Sequence, residues 1–148
     1  MDKLKLNFEI LPSGAFNNNL RRVLSKKAWD FIRKDAYCRA NGKCSICGEK
    51  KSRLEAHEKW SFDKEKGVQK LEDVTAICNA CHQVIHIART QVIGREDNAI
   101  RHFRKVNGCD YQGYIQALKT ATQKSVELST VSDWALDLTW LERFIENK

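Results

Sequence analysis

Two Cys-x-x-Cys pairs, Cys44/Cys47 and Cys78/Cys81, bracket the segment 48–77, and His82 directly follows the last cysteine. Four thiolates in two close pairs suit one tetrahedral zinc ion, with Zn–S bonds of about 2.3 Å. The two-residue gap lets both sulfurs of a pair reach the same ion from one tight turn. Such an ion ties two distant stretches of chain together and holds whatever lies between them. The same thiolates would also serve an iron–sulfur or rubredoxin-like centre, a reading that a colourless, zinc-containing protein excludes. Three of the 4 histidines, His57, His82 and His86, lie in or beside the bracketed segment. His82 and His86 are four apart, which on a helix puts both imidazoles on one face. Such a pair can grip a second cation, and a strand carrying His57-Glu58 is placed to face it.

The elements that must position these groups follow from pattern. Leu4-Lys5-Leu6-Asn7-Phe8-Glu9-Ile10 alternates apolar and polar residues, the period of a strand. Ser25 is placed to cap a helix to about Ala40, with Ala28, Trp29, Ile32 and Ala36 on one face and Asn41-Gly42 as its stop. A short strand is expected over 53–58, a loop over 60–67 and a second short strand over 74–77. Asn79 is read as the cap of a continuous helix from Ala80 to about Thr90. Asp97 is expected to cap a short helix ending at Asn107-Gly108, and Asp110 to open another reaching about Lys124. Alternation of Trp134, Leu136, Leu138 and Trp140 reads as a strand, followed by a terminal helix with Leu141, Phe144 and Ile145. Trp29, Trp134 and Trp140 fit core positions, and His102 fits a surface or locally satisfied histidine.

Length and composition bound the rest. The chain has 148 residues, 42% hydrophobic and 30% charged, values ordinary for a soluble globular protein. It is read as a single domain over 1–148, with a core at 43–90, an N-terminal strand and helix at 1–42 and a helical extension at 91–148. No stretch approaches the ~20 apolar residues of a membrane span, and the first residues lack an apolar signal core. The expectation is a cytosolic protein with no membrane partner, in a compartment where paired cysteines bind metal rather than form disulfides. The solitary Cys38 and Cys109 are expected to be buried core thiols. A net charge of +7, from 26 Lys and Arg against 19 Asp and Glu, points to a polyanionic partner, most simply DNA. Lys50, Arg53, Lys59 and Arg89 are the candidate phosphate contacts.

The stretch from Cys44 to His86 resembles an HNH (ββα-metal) endonuclease domain of the zinc-stabilised, four-cysteine kind. The residues that carry the likeness are Cys44-Ser45-Ile46-Cys47-Gly48, Leu54-Glu55-Ala56-His57-Glu58, Asp73-Val74 and Cys78-Asn79-Ala80-Cys81-His82-Gln83-Val84-Ile85-His86. With Trp60, and with the flanks Asn19-Leu20-Arg21 and Trp134-x-Leu136-Asp137-Leu138, the pattern is similar to small bacterial and phage HNH-like proteins. The resemblance implies an α+β fold: a ββα-metal core with a structural zinc on Cys44, Cys47, Cys78 and Cys81, flanked by additional helices and short strands. It implies hydrolysis of DNA phosphodiester bonds with Mg²⁺ or another divalent cation held by His57, His82 and His86, in a bacterial or phage-infected cytosol.

The resemblance also implies catalytic roles for His57, Glu58, Asp73 and His82. His57 matches either the family's general base, with Glu58 as a metal-binding or orienting partner, or its strand-borne metal ligand, with Glu58 in the place of the base, a role that needs a raised pKa. Asp73 stands where the family has an asparagine. Aspartate accepts the bracing hydrogen bonds that asparagine makes but cannot donate them. The departures at Glu58 and Asp73 carry an alternative: a zinc-stabilised module with a degenerate site that binds nucleic acid or a protein partner without chemistry.

Overall fold

Ser25 Oγ accepts from Ala28 N at 3.1 Å, satisfying one of the donors that a helix N-terminus leaves unpaired. In this computed structural model, which describes residues 4–146, the helix it caps is α2, Lys26–Ala40, preceded by a single turn, α1, Leu20–Val23. α2 buries Trp29, Ile32 and Ala36 and ends at Asn41, whose φ of 52° is left-handed. Asparagine adopts that conformation more readily than most residues because its short amide bonds locally.

A hairpin follows that is longer than the pattern suggested. β1 spans Glu55–Asp63 and β2 spans Val68–Ile77, paired antiparallel, so the expected loop over 60–67 shrinks to a turn over 64–67. Trp60 and Phe62 belong to β1, where aromatic side chains suit a half-buried pleated surface. The register passes from Lys59↔Asp73 to Trp60↔Leu71, a bulge that leaves Glu72 as the extra residue. Burial in β2 shifts phase at that point: Gln69 and Leu71 are buried before it, Val74 and Ala76 after it. The bulge keeps all four on one face. There Leu71, Val74 and Ala76 pack with Trp29, Ile32 and Ala36 of α2. β3, Ala135–Asp137, joins the far side of β2 in parallel, giving the order β1-β2-β3. The strand expected over 134–140 is therefore reduced to three residues, followed by a 3₁₀ turn, Thr139–Leu141, and α7, Glu142–Glu146.

Beyond β2 the chain is helical: α3 Asn79–Ile85, α4 Ile87–Val92, α5 Glu96–Asn107 and α6 Tyr111–Leu128. The single helix expected over 80–90 is broken at His86, whose φ of −95° and ψ of 55° leave the helical region, and Cys78 rather than Asn79 is its cap. Asp97 lies inside the first turn of α5 instead of capping it. Asp110 caps α6 as its type suggests, its Oδ1 accepting from Gly113 N at 2.9 Å, and the helix continues past Lys124 to Leu128. No helix among the described residues is long and apolar enough to cross a membrane. The architecture is α+β: a small three-stranded sheet with helices packed around it.

The expected strand over 4–10 does not form. The segment bends at Lys5 and Leu6 and joins no ladder. Its alternation is answered by helices instead: Leu6 and Phe8 enter the main core beside Val84, Ile85, Phe103 and Tyr114. Phe8 stacks on Phe103 at 5.0 Å, and Tyr114 meets both rings edge-on at 5.4 Å. Asn107 holds Leu6 through both its amide atoms, at 3.0 and 2.8 Å, and Glu9 N donates to Ile85 O at 2.9 Å. Cys38 is exposed and Cys109 partly so, which corrects the expectation that both are core thiols. Cys38 lies on the solvent side of α2, one residue past the half-buried Tyr37. Because Phe103 is fully enclosed by this cluster, Phe103→Ala is expected to lower stability by about 3–5 kcal/mol, read as a shifted urea midpoint with little change in slope.

Candidate metal centres

The two knuckles meet at the root of the hairpin. Cys44 and Cys47 follow α2, and Cys78 and Cys81 open α3. Ser45 N donates to Ala76 O at 3.0 Å, docking the first knuckle on the end of β2. Amide groups turn toward sulfur, with Ile46 N on Cys44 Sγ and Cys81 N on Cys78 Sγ, both at 3.4 Å. Cys44 Sγ lies 3.7 Å from Cys81 Sγ, and Cys47 Sγ lies 3.8 Å from Cys78 Sγ. Sulfurs bound at about 2.3 Å on a tetrahedron stand about 3.8 Å apart, whereas a disulfide needs about 2.05 Å. All four sulfurs lie within 4.8 Å of one another and could hold a metal ion such as zinc.

The chemistry of the donors agrees. Burial works against ionising Cys44, but hydrogen bonds from the backbone of Cys78, Cys47 and Ile46 outweigh it and bring the thiol down to about 7. Cys78 and Cys81 are pushed up, first by burial and then by the charge on Cys44. One thiolate thus opposes the next, and a cation relieves that repulsion. His102 is a locally satisfied histidine at the edge of this centre: its Nε2 lies 3.2 Å from Cys81 Sγ.

A second cluster lies on the other side of α3. His57 projects from β1, His82 from α3 and His86 from the break between α3 and α4. Each brings a ring nitrogen within 4.8 Å of the others. Ring centroids are 5.7 Å apart for His57–His82, 5.8 Å for His57–His86 and 4.7 Å for His82–His86. Despite the broken helix, His86 N still donates to His82 O at 3.1 Å, which keeps the two rings on one face. Burial, then the positive charge of His82 and His57, lowers His86 to about 4. It is therefore a neutral imidazole at pH 7, the form that ligates metals.

Two carboxylates orient this cluster, and neither was singled out from the sequence. Glu9 Oε2 is 2.8 Å from His57 Nε2, and Glu55 Oε1 is 2.6 Å from His82 Nδ1. Burial works against the Glu55 charge, but hydrogen bonds from His82 and Asn79 outweigh it and hold the carboxyl below its ordinary value. Carboxylates of this kind fix the tautomer and orientation of metal-binding imidazoles. Glu55 was legible in principle: it lies two residues before His57, on the same strand face. Glu9 left no such signal, because it arrives only through the packing of 4–10 on the helices.

No family model, curated protein or solved structure matches this chain.

The remaining sequence candidates divide. Arg89 lines the same open cleft as the three histidines, a space of about 560 Å³. Glu58 lines it too, and its Oε1 accepts from Leu20 N, the first amide of α1, at 2.9 Å. Burial pushes the Glu58 carboxyl up. Asp73 sits in the body of β2, where its Oδ1 accepts from Val74 N at 2.8 Å and stands 3.8 Å from Arg39. It braces no loop and is not among the clustered ligands. Lys59 borders a neighbouring depression that His57 also reaches. Lys50 and Arg53 are exposed near the first knuckle, away from the cleft lining.

Protein grown with added zinc is expected to carry about one tightly held ion at the thiolate centre. Replacement by Co²⁺ should give the intense near-ultraviolet charge-transfer bands of thiolate ligation. Cys78→Ser should weaken those bands by about a quarter or more and lower the melting temperature, and unchanged bands would show that the four sulfurs do not share an ion.

Proposed function

We propose that this chain is a metal-dependent endonuclease of the HNH type that hydrolyses DNA phosphodiester bonds. The observation that carries the reading is the convergence of His57, His82 and His86, from a strand and from the helical segment packed against it, on one point in an open cleft. On this reading the hairpin β1–β2 and helix α3 form the ββα-metal core. The four-cysteine zinc is structural and the three histidines serve chemistry. Three imidazoles favour Ni²⁺, Co²⁺ or Zn²⁺ over Mg²⁺ and Mn²⁺, which prefer oxygen ligands.

The chain's own groups then have distinct tasks. His82 and His86 hold the cation, with Glu55 fixing the ring of His82. His57 either takes the proton from the attacking water or stands as a third ligand. Glu9 serves both roles, since a carboxylate on the second ring nitrogen stabilises an imidazolium and also orients a ligand. When bound, the cation supplies Lewis-acid stabilisation of charge on the phosphate and on the departing 3′ oxygen. Water oxygen forms the new bond to phosphorus as the bond to the 3′ oxygen breaks, leaving a 5′ phosphate and a 3′ hydroxyl. Arg89 at the cleft wall offsets the phosphate charge.

The second reading, a catalytically degenerate module that binds nucleic acid or a protein partner, is favoured by Glu58 and Asp73, which are engaged by Leu20 and Arg39 rather than by the histidines.

Supercoiled plasmid incubated with the protein and Mn²⁺ or Ni²⁺ is expected to be nicked. His57→Ala should reduce the rate by about 10²-fold or more, with the zinc content unchanged. If His57→Ala also loses the second cation, His57 is a ligand; if it keeps the cation, His57 is the base. Intact plasmid across all these ions would remove the nuclease reading and leave the binding module.

A further inference from the structure

The loop that precedes α1 is anchored far more firmly than its surface position requires. Pro12, Ala15 and Leu20 are buried, yet Phe16 between them is 64% exposed. Gly14 lies against the backbone of Val131 and Ser132 so closely that a Cβ there would stand 2.7 Å from Ser132 O. Gln69 of β2 is wholly buried and spends its amide on this loop. It accepts from Asn18 Nδ2 at 3.1 Å and donates to Asn18 O at 3.2 Å. Asn19 Oδ1 accepts from Arg22 N at 3.1 Å, and Glu58 accepts from Leu20 N. A buried amide pair stabilises only when both partners are satisfied. Here that interaction serves to hold one loop conformation, and the loop presents an aromatic ring to water.

That ring lines the histidine cleft. Phe16, Arg21 and Arg89 border the same space as His57, His82 and His86, and neither arginine forms an ion pair among the described residues. Arginines beside an exposed aromatic ring match a nucleotide: guanidinium for phosphate, ring for the face of a base. A protein partner would meet the ring with apolar side chains, and the two arginines favour the polyanion. In an intact duplex the base faces are covered by their neighbours, so only an unpaired nucleotide offers one.

We infer that Phe16, with Arg21 and Arg89, forms a subsite that stacks an unpaired base beside the scissile phosphate, so that the preferred substrate is single-stranded or locally unpaired DNA. The inference rests on the nuclease reading and narrows its substrate. Phe16 is a specificity-determining residue here and does not touch the reacting atoms.

The test uses the full chain carrying His57→Ala, to prevent cleavage, and a dye-labelled single-stranded 15-mer of thymidylate against a labelled 15-base-pair duplex. Phe16→Ala is expected to weaken single-strand binding roughly 5- to 100-fold while leaving duplex binding and thermal stability near those of the parent. Phe16→Trp should restore it, and Phe16→Leu should not. In the cleaving parent, a plasmid with a single-stranded gap should be cut faster than intact duplex, and Phe16→Ala should erase that preference. Equal single-strand binding by the parent and Phe16→Ala would overturn the subsite while leaving the nuclease reading in place. Failure of the unmodified chain to bind or cut either DNA would overturn both, and would leave the exposed ring to a protein contact.

Discussion

Like charges confined to a small volume are the constraint on which this molecule depends. Four cysteine sulfurs lie within 4.8 Å of one another, and burial together with mutual repulsion resists the ionisation of Cys78 and Cys81. A divalent cation, which these sulfurs could hold, would turn that repulsion into a clamp. Such a clamp would join the end of α2 to the junction of β2 and α3, the junction from which His82 and His86 are presented. His57 comes from the neighbouring strand, so the spacing of the three rings follows from how the hairpin root is held. The histidine cluster obeys the same electrostatics in milder form, with His86 kept neutral by burial and by its two neighbours.

Around that clamp, segments from elsewhere in the chain complete the cleft. Residues 4–10 bring Glu9 to His57 while their own alternation is absorbed by Val84, Ile85, Phe103 and Tyr114. The loop before α1 brings Phe16, and α1 itself brings Arg21, to the same cleft, with Gln69 bonded to Asn18 and Glu58 to Leu20. The bulge at Glu72 lets β2 keep one buried face along its length. It places Leu71 and Val74 together against α2, and so keeps the helix and the loop before it in register with the hairpin. Glu58, which invites a catalytic reading beside His57, lines the same cleft and also ties the hairpin to the start of α1, where its carboxylate accepts from Leu20 N.

Local chemistry explains which parts of the fold were legible. The caps at Ser25 and Asp110, the stops at Asn41 and Gly108 and the buried stripe of α2 rest on contacts within a few residues. The misreadings arose where distant partners intervene. Residues 4–10 have the period of a strand, but the partner they meet is a helical surface. The bulge breaks the two-residue period between Leu71 and Val74, so the pattern shows only part of the hairpin. The break at His86 has no proline or glycine to announce it, so the pattern over 80–90 is that of one helix.

The sequence by itself determined the ligand types and their local geometry: two Cys-x-x-Cys turns able to share an ion, and an imidazole pair one turn apart. These follow from side-chain chemistry and from spacing along one short stretch of backbone. Tertiary structure alone decided that His57 meets that pair, that Glu9 and Glu55 orient the rings, and that Phe16 and Arg21 line the same cleft. It also set the partners of Glu58 and Asp73, which accept from Leu20 N and Val74 N. The reason is physical: those contacts depend on strand register, on a bulge and on the docking of a segment without a ladder. All three are set by burial among residues far apart in the chain, and no local pattern of residues encodes them.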